Sequence, residues 1–423
     1  MTRELRFDAV VIGAGTAGLV AGTRMAQQGA RVCVLAKGIG STHLSPATID
    51  VLGYGPSRVD EPGPALEKLV LARHDHPYAQ IGRQVVDDAL RWFSGVVADG
   101  PLPGYGYVGG LERNLRLPTA IGVLRPSAMV PETMAAGDAP GLGRCCIVGT
   151  GSLRDFHPAL CAANLRRAGI EARSVTIPLE FERADMNALG IARRFDDPTW
   201  RARFCAELSP LLGADDHVGL PAALGLRDPH GVRADLEHRL GRQVFEIPSL
   251  PPSVPGMRMF EILTSALRAD RGRLILGAEV IAVERDEHRV NAVSTHAAGH
   301  DARYRADAFV LATGGFASGA IELDSRWVTH ERVLGLPLHG VPGPDEPRFV
   351  PTYLSEQPIA RVGVAVDTEL RAQGTENVFV AGAALPGAIP WREGSGEGIA
   401  LSSGYRVADL IASGSKTPAE AAA

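Results

Sequence analysis

Residues 7–22, FDAVVIGAGTAGLVAG, place an apolar run directly before Gly13-x-Gly15-x-x-Gly18 and a stretch of small residues directly after it. Phe7 to Ile12 reads as a buried parallel strand. The glycines fit the turn that follows: Gly13 makes it tight, Gly15 lets backbone approach a pyrophosphate, and Gly18 lets the next helix pack closely on the strand. A phosphate held there would lie on the unpaired N–H groups of the helix's first turn. The same spacing occurs at ordinary strand-to-helix turns. Here strand, glycines, helix and a second apolar strand, Arg31 to Ala36, fall in order, so the chain opens as a Rossmann-like α/β fold built around a nucleotide cofactor.

With 423 residues the chain is long enough for two or three units sharing interleaved segments. A formal net charge of −5 supplies no basic surface for nucleic acid. The start, MTRELRFDAV, lacks a secretory pattern, and no apolar stretch has the length of a membrane helix, so the reading is a cytoplasmic protein with no direct membrane span. Cys33, Cys145, Cys146, Cys161 and Cys205 include no C-x-x-C pair, which argues against structural zinc or an iron-sulfur cluster, and no metal is expected. Cys145-Cys146 lies in the apolar run RCCIV. Two small buried hydrophobes explain it more simply than redox chemistry.

The acid expected on the adenosine ribose, about 20 residues past the glycines, is replaced by Ala36-Lys37-Gly38. Lys37 either meets a cofactor phosphate or lies in solvent. Ordinary NAD binding is thereby weakened.

Toward the other end, a β-ribbon from about Arg273 to Tyr304 leads into the strand Ala308 to Leu311 and a small-residue turn, Ala312-Thr313-Gly314-Gly315. Asn377 to Gly382 repeats the strand-to-glycine form. Gly394-Ser395-Gly396-Glu397-Gly398 then opens a final helix, Ile399 to Ser413, whose start suits the N1/C2 carbonyl edge of a reduced flavin. Thr313, Gly314, Gly382, Gly396, Glu397 and Gly398 join Gly13, Gly15, Gly18 and Lys37 as candidate cofactor residues. In order and spacing these motifs resemble FAD-dependent oxidoreductases of the fumarate reductase type, with Gly363 to Asp367 where that group usually has paired glycines.

The middle alternates strand-like and helical segments from Arg144 to Gly256, implying an inserted α/β layer. Gly149-x-Gly151 imitates a phosphate turn, but Arg154 takes the third glycine's place and the reading is structural. The expected division is 1–60 plus 251–423 for the flavin-binding Rossmann-like domain and 61–250 for the inserted substrate or partner domain. The Pro/Gly-rich stretches 101–110 and 341–351 read as loops, and the Ala-rich tail after Ser413 as disordered.

More specific than any glycine motif are Ser41-x-His43-x-Ser45 leading to Asp50, His76-Pro77-Tyr78, Thr119-x-x-Gly122-x-Leu124-Arg125, VGTGSLRDF, Asn187 with Ala192-Arg193, Leu250-Pro251-Pro252-Ser253-Val254-x-Gly256-x-Arg258, VLATGGF and NVFVAGAALPG. Over nearly the whole chain these resemble the B-subunit family of anaerobic glycerol-3-phosphate dehydrogenases. The resemblance implies FMN on this chain, with FAD as the alternative. It also implies sn-glycerol 3-phosphate as substrate, dihydroxyacetone phosphate as product, and electrons passed toward quinone. The implied partners are an FAD-containing catalytic subunit and an iron-sulfur, membrane-anchoring subunit that would hold the chain on the inner face of the membrane.

For that chemistry His43 is the candidate base, and Arg125 and Arg258 are candidate phosphate clamps, because a guanidinium binds two phosphate oxygens at once. A loop histidine bonding backbone, and salt bridges between segments, are the competing explanations. Arg193 is weaker, since Arg194 and Asp196 suggest a solvated face. Two other functions fit the same motifs: a stand-alone FAD oxidoreductase of a small organic acid, and a non-catalytic flavin-bearing assembly protein.

Overall fold

The computed structural model describes residues 3–177, 186–213, 216–297 and 300–414, so the tail from residue 415 onward lies outside the described residues. The chain divides into two compact units, one of Met1–Ser41, Gly63–Trp92 and Leu263–Ala423, the other of Thr42–Pro62 and Phe93–Ile262. Compared with the expected division, 42–60 and 251–262 fall in the second unit and 63–92 in the first. The loop after Ser41 leaves the first unit because its backbone pairs elsewhere: Ile49 exchanges hydrogen bonds with Met129, and the Asn114 amide donates to the carbonyls of Leu52 and Val59.

The first unit is built on a seven-stranded sheet in the order Arg273–Leu276, Val32–Ala36, Arg3–Ile12, His300–Leu311, Arg289–Ala297, Val280–Asp286, with Val378–Val380 also on His300–Leu311. The strands Arg3–Ile12, Val32–Ala36, Arg273–Leu276, His300–Leu311 and Val378–Val380 pair parallel, while Arg289–Ala297 pairs antiparallel with both His300–Leu311 and Val280–Asp286. Burial is complete in the centre of the first strand: Ala9, Val10 and Val11 are shielded from solvent, as a parallel strand covered on both faces must be. The segment read as one ribbon from Arg273 is in fact two features. Gly277, at φ +76, and a bond from Ala278 N–H to Ala36 carbonyl turn the chain after Leu276, leaving Arg273–Leu276 as the parallel edge of the sheet.

Two helices cover the sheet's opening strands. Thr16–Gln27 is buried along nearly all its length, and Gly396–Gly414 crosses it where Gly404 has no room for a side chain: a Cβ there would stand 2.4 Å from the Ala17 carbonyl oxygen. Small residues set this crossing distance, as the GLVAG and SSG runs allow.

The second unit holds a four-stranded parallel sheet in the order Val244–Ile247, His217–Pro221, Cys145–Thr150, Ala172–Ile177, with helices Pro158–Arg167, Ala188–Phe195, Pro198–Leu208 and Pro229–Leu240, the α/β layer expected from the alternating pattern. Cys145 and Cys146 lie in its core beside Ile147 and Val148. Burial pushes the Cys145 thiol up to about 12 and the Cys146 thiol to about 11, which keeps both protonated and inert. Gly149 presses on the Pro158 ring rather than opening a phosphate turn. Asn187 caps its helix through the Gly190 N–H, as Asp228 does through the Gly231 N–H.

Candidate functional site

In the first unit the carboxyl ends of three adjacent strands lie in register, Ile12 opposite Leu311 and Leu311 opposite Val380. The turns that follow are Gly13–Gly15, Thr313–Gly315 and Gly382–Ala384. Open α/β sheets bind ligands at this end.

The three opening glycines differ in what demands them. Gly13 sits at φ +116, and a Cβ there would stand 2.2 Å from the Ala312 carbonyl oxygen; one on Gly18 would stand 2.0 Å from the Gly13 carbonyl oxygen. Both are required by the protein's own packing. Gly15 is not: its φ of −76 suits any residue, and a Cβ would meet nothing within 4 Å. It caps Thr16–Gln27 without a side-chain bond, so open space faces the helix's first-turn N–H groups. On the adjacent turn Thr313 carries a buried hydroxyl oxygen with no hydrogen-bond partner. A buried unsatisfied hydroxyl next to an open glycine cradle fits a polar ligand supplied from outside the chain.

Around the cradle, Gly314 is at φ +84 with Ser318 against it, and Gly382, at φ +74, leaves 2.9 Å between its would-be Cβ and Ala17 Cβ. Gly382 N–H donates to Ser403 Oγ at 2.8 Å, tying this turn to the closing helix. Gly396 begins that helix, with Glu397 acidic in its first turn and Gly398 buried just after. Sequence reasoning missed Gly40. At φ +68, its would-be Cβ lies 2.8 Å from Gly15 nitrogen, so the loop after the second strand folds over the glycine turn. The run KGIG carried that signal.

Lys37 takes neither alternative outright. Its ammonium pairs with Glu279 Oε1 at 3.0 Å on the surface, with 75 % of the Lys37 side chain exposed. Glu279 comes from the loop after Arg273–Leu276.

In the second unit, His43 lies in the single turn Thr42–Leu44, its ring edge-on to Phe260 at 5.1 Å between centroids. Its backbone carbonyl accepts the Ser253 N–H at 2.9 Å, and no partner for its ring nitrogens is found among the described residues. Burial lowers the His43 pKa below the ordinary histidine value. The Leu-Pro-Pro-Ser-Val motif explains how this turn is held. Ser253 Oγ accepts the Gly256 N–H at 3.1 Å, capping helix Val254–Ala269, and a Cβ on Gly256 would stand 1.9 Å from the Thr42 carbonyl oxygen. The two motifs are thus brought together, and Ser253 and Gly256 are positioning residues recognisable by the S-x-x-G cap spacing.

Arg125 stands on the hairpin strand Leu124–Ser127 with 44 % of its side chain exposed. Its Nη2 donates to Asp50 Oδ2 at 2.5 Å, and Asp50 also accepts from Ser127 Oγ at 2.5 Å and Thr48 Oγ1 at 3.0 Å. Burial pushes the Asp50 carboxyl up, against the pull of Arg125 and the two hydroxyls. Among the described residues no partner takes the remaining Arg125 donors.

Arg258 is different, and the clamp role read from the sequence does not fit it. The side chain is fully buried; Nη1 and Nη2 donate to Glu246 at 2.7 and 2.9 Å, while Nε and Nη2 donate to the Gly225 carbonyl at 3.0 and 2.7 Å. Its fork is filled by the protein itself. Burial opposes charge on Glu246, but Arg258 outweighs it and holds the carboxyl below its usual value. Arg193, in the last turn of helix Ala188–Phe195, is exposed. Among the described residues no group of three or more His, Cys, Asp or Glu could hold a metal, and no helix is long and apolar enough to cross a membrane.

The model of the FAD binding domain family matches residues 8–399. The B subunit of anaerobic glycerol-3-phosphate dehydrogenase from Pectobacterium carotovorum subsp. carotovorum is 31 % identical over 96 % of this chain and 99 % of the relative. The chain belongs to this family. The B subunit of the same enzyme from Yersinia enterocolitica is 30 % identical over 97 % of this chain and 99 % of its own length. Among solved structures, 3-ketosteroid delta1-dehydrogenase from Sterolibacterium denitrificans aligns over 97 % of this chain and 100 % of its own, at 11 % identity and a TM-score of 0.44. As a member of the FAD binding and B-subunit families, the chain is a flavoprotein.

Proposed function

We propose that the chain is the flavin-bearing B subunit of a respiratory glycerol-3-phosphate dehydrogenase. It would oxidise sn-glycerol 3-phosphate to dihydroxyacetone phosphate together with a catalytic FAD subunit and an iron-sulfur subunit that carries electrons toward quinone at the inner face of the membrane. The observation that carries the flavin part is Gly15, the one glycine of the three that nothing in the chain demands. The reading is FAD rather than the FMN implied by the resemblance. The family model, which is one of FAD binding, supports it.

When bound, the flavin supplies a hydride acceptor for the carbinol carbon. The chain's residues do the rest. Gly13 to Gly18 and Thr313 would hold the cofactor's polar groups, and the helix start at Gly396 to Gly398 would offer it N–H donors. Arg125, steadied by Asp50, offers its free donors to the substrate phosphate. His43 takes the hydroxyl proton; burial keeps its ring neutral to lower pH than a free imidazole, so the proton-accepting form prevails at neutral pH.

The isolated chain is expected to oxidise little glycerol 3-phosphate with a dye acceptor, and co-expression with its two companion subunits to restore the activity. Brisk turnover of a small organic acid by the chain alone would instead favour the stand-alone oxidoreductase. Within the complex, Arg125→Ala should raise KM for glycerol 3-phosphate by about ten- to a hundredfold, the worth of one charge-assisted phosphate contact; an unchanged KM removes the clamp and favours an assembly role. The acid limb of kcat/KM against pH should fall below the free-imidazole value of about 6.5 and vanish in His43→Asn. A limb that persists in that variant assigns the base elsewhere.

A further inference from the structure

We propose that buried His76 and largely buried Glu393 form a positioning pair that fixes the start of the closing helix and sets the electrostatic field it presents to the flavin. The proposal rests on the flavin reading above and deepens it. All the residues concerned lie in the first unit.

His76 is fully buried at the head of the short helix Pro77–Ile81, where its Nδ1 accepts the Tyr78 N–H at 3.2 Å. That bond leaves the ring proton on Nε2, which lies 3.2 Å from Glu393 Oε2. Glu393 ends the four-residue helix Pro390–Glu393, and Gly394, at φ +60, turns the chain into Ser395. The same Oε2 accepts Ser395 Oγ–H at 3.0 Å, and Tyr78 OH reaches the Ser395 carbonyl at 3.5 Å. That carbonyl also accepts the Ile399 N–H at 2.9 Å, the first bond of the closing helix. The residue immediately before Gly396 is therefore held at its side chain and at its carbonyl by the His76 to Tyr78 segment and by Glu393.

The pair also has a third member. Arg73 Nη1 stands 3.7 Å from Glu393 Oε1, and Nη2 donates to the Gly387 carbonyl, which Arg361 Nη1 reaches as well. Gly387 cannot carry a side chain, because a Cβ would stand 2.1 Å from the Asp75 carbonyl oxygen. Packing alone would not need this arrangement, since apolar side chains of similar volume often replace buried polar pairs without loss. What apolar side chains cannot do is place a compensated carboxylate three residues before a helix start. A helix N-terminus carries about half a positive charge, so an anion there lowers the local potential unless cations or N–H donors offset it. Here His76 Nε2–H and Arg73 supply the offset.

The two partners then have opposite electrostatic effects. Glu393→Gln removes the negative charge and makes the helix start more positive, which favours an anionic reduced flavin and raises the midpoint potential. His76→Asn keeps the cap on Tyr78 N–H but removes the donor to Glu393, leaving its charge less offset, and lowers the potential. Glu393→Gln leaves Ser395 Oγ–H a weaker, uncharged acceptor, and His76→Asn frees Glu393 to shift away from Ser395, so both should weaken FAD binding to the apo full chain about tenfold, measured by fluorescence titration. The supporting result is weakened binding in both with potentials displaced in opposite directions and a wild-type far-UV spectrum. Should one variant fail to fold, the sign of the other's shift decides. Wild-type affinity and potential in a folded variant overturn the pair, as does a displacement in the same direction in both. Absence of FAD binding by the wild-type chain strikes the flavin reading itself and is read separately from the variants.

Discussion

Replacement of Arg258 by Ala is expected to lower the stability of the full chain by about 3–5 kcal/mol, the usual result of removing one partner from a buried ion pair. The change leaves Glu246 fully buried with only Thr133 Oγ and the Leu224 N–H as donors, and strips both guanidinium contacts from the Gly225 carbonyl. The pH dependence carries a sign. In the native chain the Glu246 pKa is lowered, so its contribution is fully present above its unfolded value and is lost as pH falls through the folded one. Without Arg258, burial, the largest influence on Glu246, is opposed only by Thr133 and the Leu224 N–H and raises its pKa, so the variant is least stable where the carboxyl must ionise. The gap between the two proteins should be wide at pH 7 and narrow in acid, as measured by urea unfolding. Replacing both residues with Met should recover most of the loss. If Arg258 instead clamped phosphate, Arg258→Ala would unfold like wild type and fail only in substrate binding.

The contrast between Arg258 and Arg125 shows what the sequence reveals and what it hides. Both arginines stand in glycine-containing motifs of the same family, and both look equally fit to bind phosphate. Arg258's partner lies 12 residues earlier, beyond a proline-rich turn, and only the fold brings Glu246 under the guanidinium. Arg125's partner is 75 residues away, yet the contact leaves much of its side chain in solvent. Charge pairing across such distances has no periodicity to read. The parallel strands and glycine turns were legible because their signals are local: an apolar run, a glycine at a fixed offset, a helix of small residues. The boundary after Ser41 was not, because the bonds that draw 42–62 into the second unit come from Asn114 and Met129. Gly40, Gly256 and Gly387 fall between these cases. Each is visible as a glycine, but its reason is a backbone from a distant or separate segment lying against it.

Gly15→Val separates the cofactor's requirement from the fold's. At φ −76, with nothing within 4 Å of its would-be Cβ, the position accepts a larger side chain without strain, so the apo variant should unfold within about 1 kcal/mol of wild type. Gly13→Val and Gly18→Val should not fold, since each would drive a Cβ into a carbonyl oxygen at 2.2 and 2.0 Å. For flavin the ranking reverses its meaning. Valine at position 15 fills the space before the first-turn N–H groups and excludes the phosphates from them. Losing two charge-assisted bonds of about 1.5–3 kcal/mol each corresponds to roughly a hundred- to ten-thousandfold in affinity, enough to empty the site during purification. The measurement is the ratio of flavin absorbance to protein in the purified variant, with a melting curve to show that the chain is folded. A folded Gly15→Val protein that keeps its full flavin complement would place the phosphates away from this turn, and with them the helix start and the hydroxyl of Thr313 that the turn brings together.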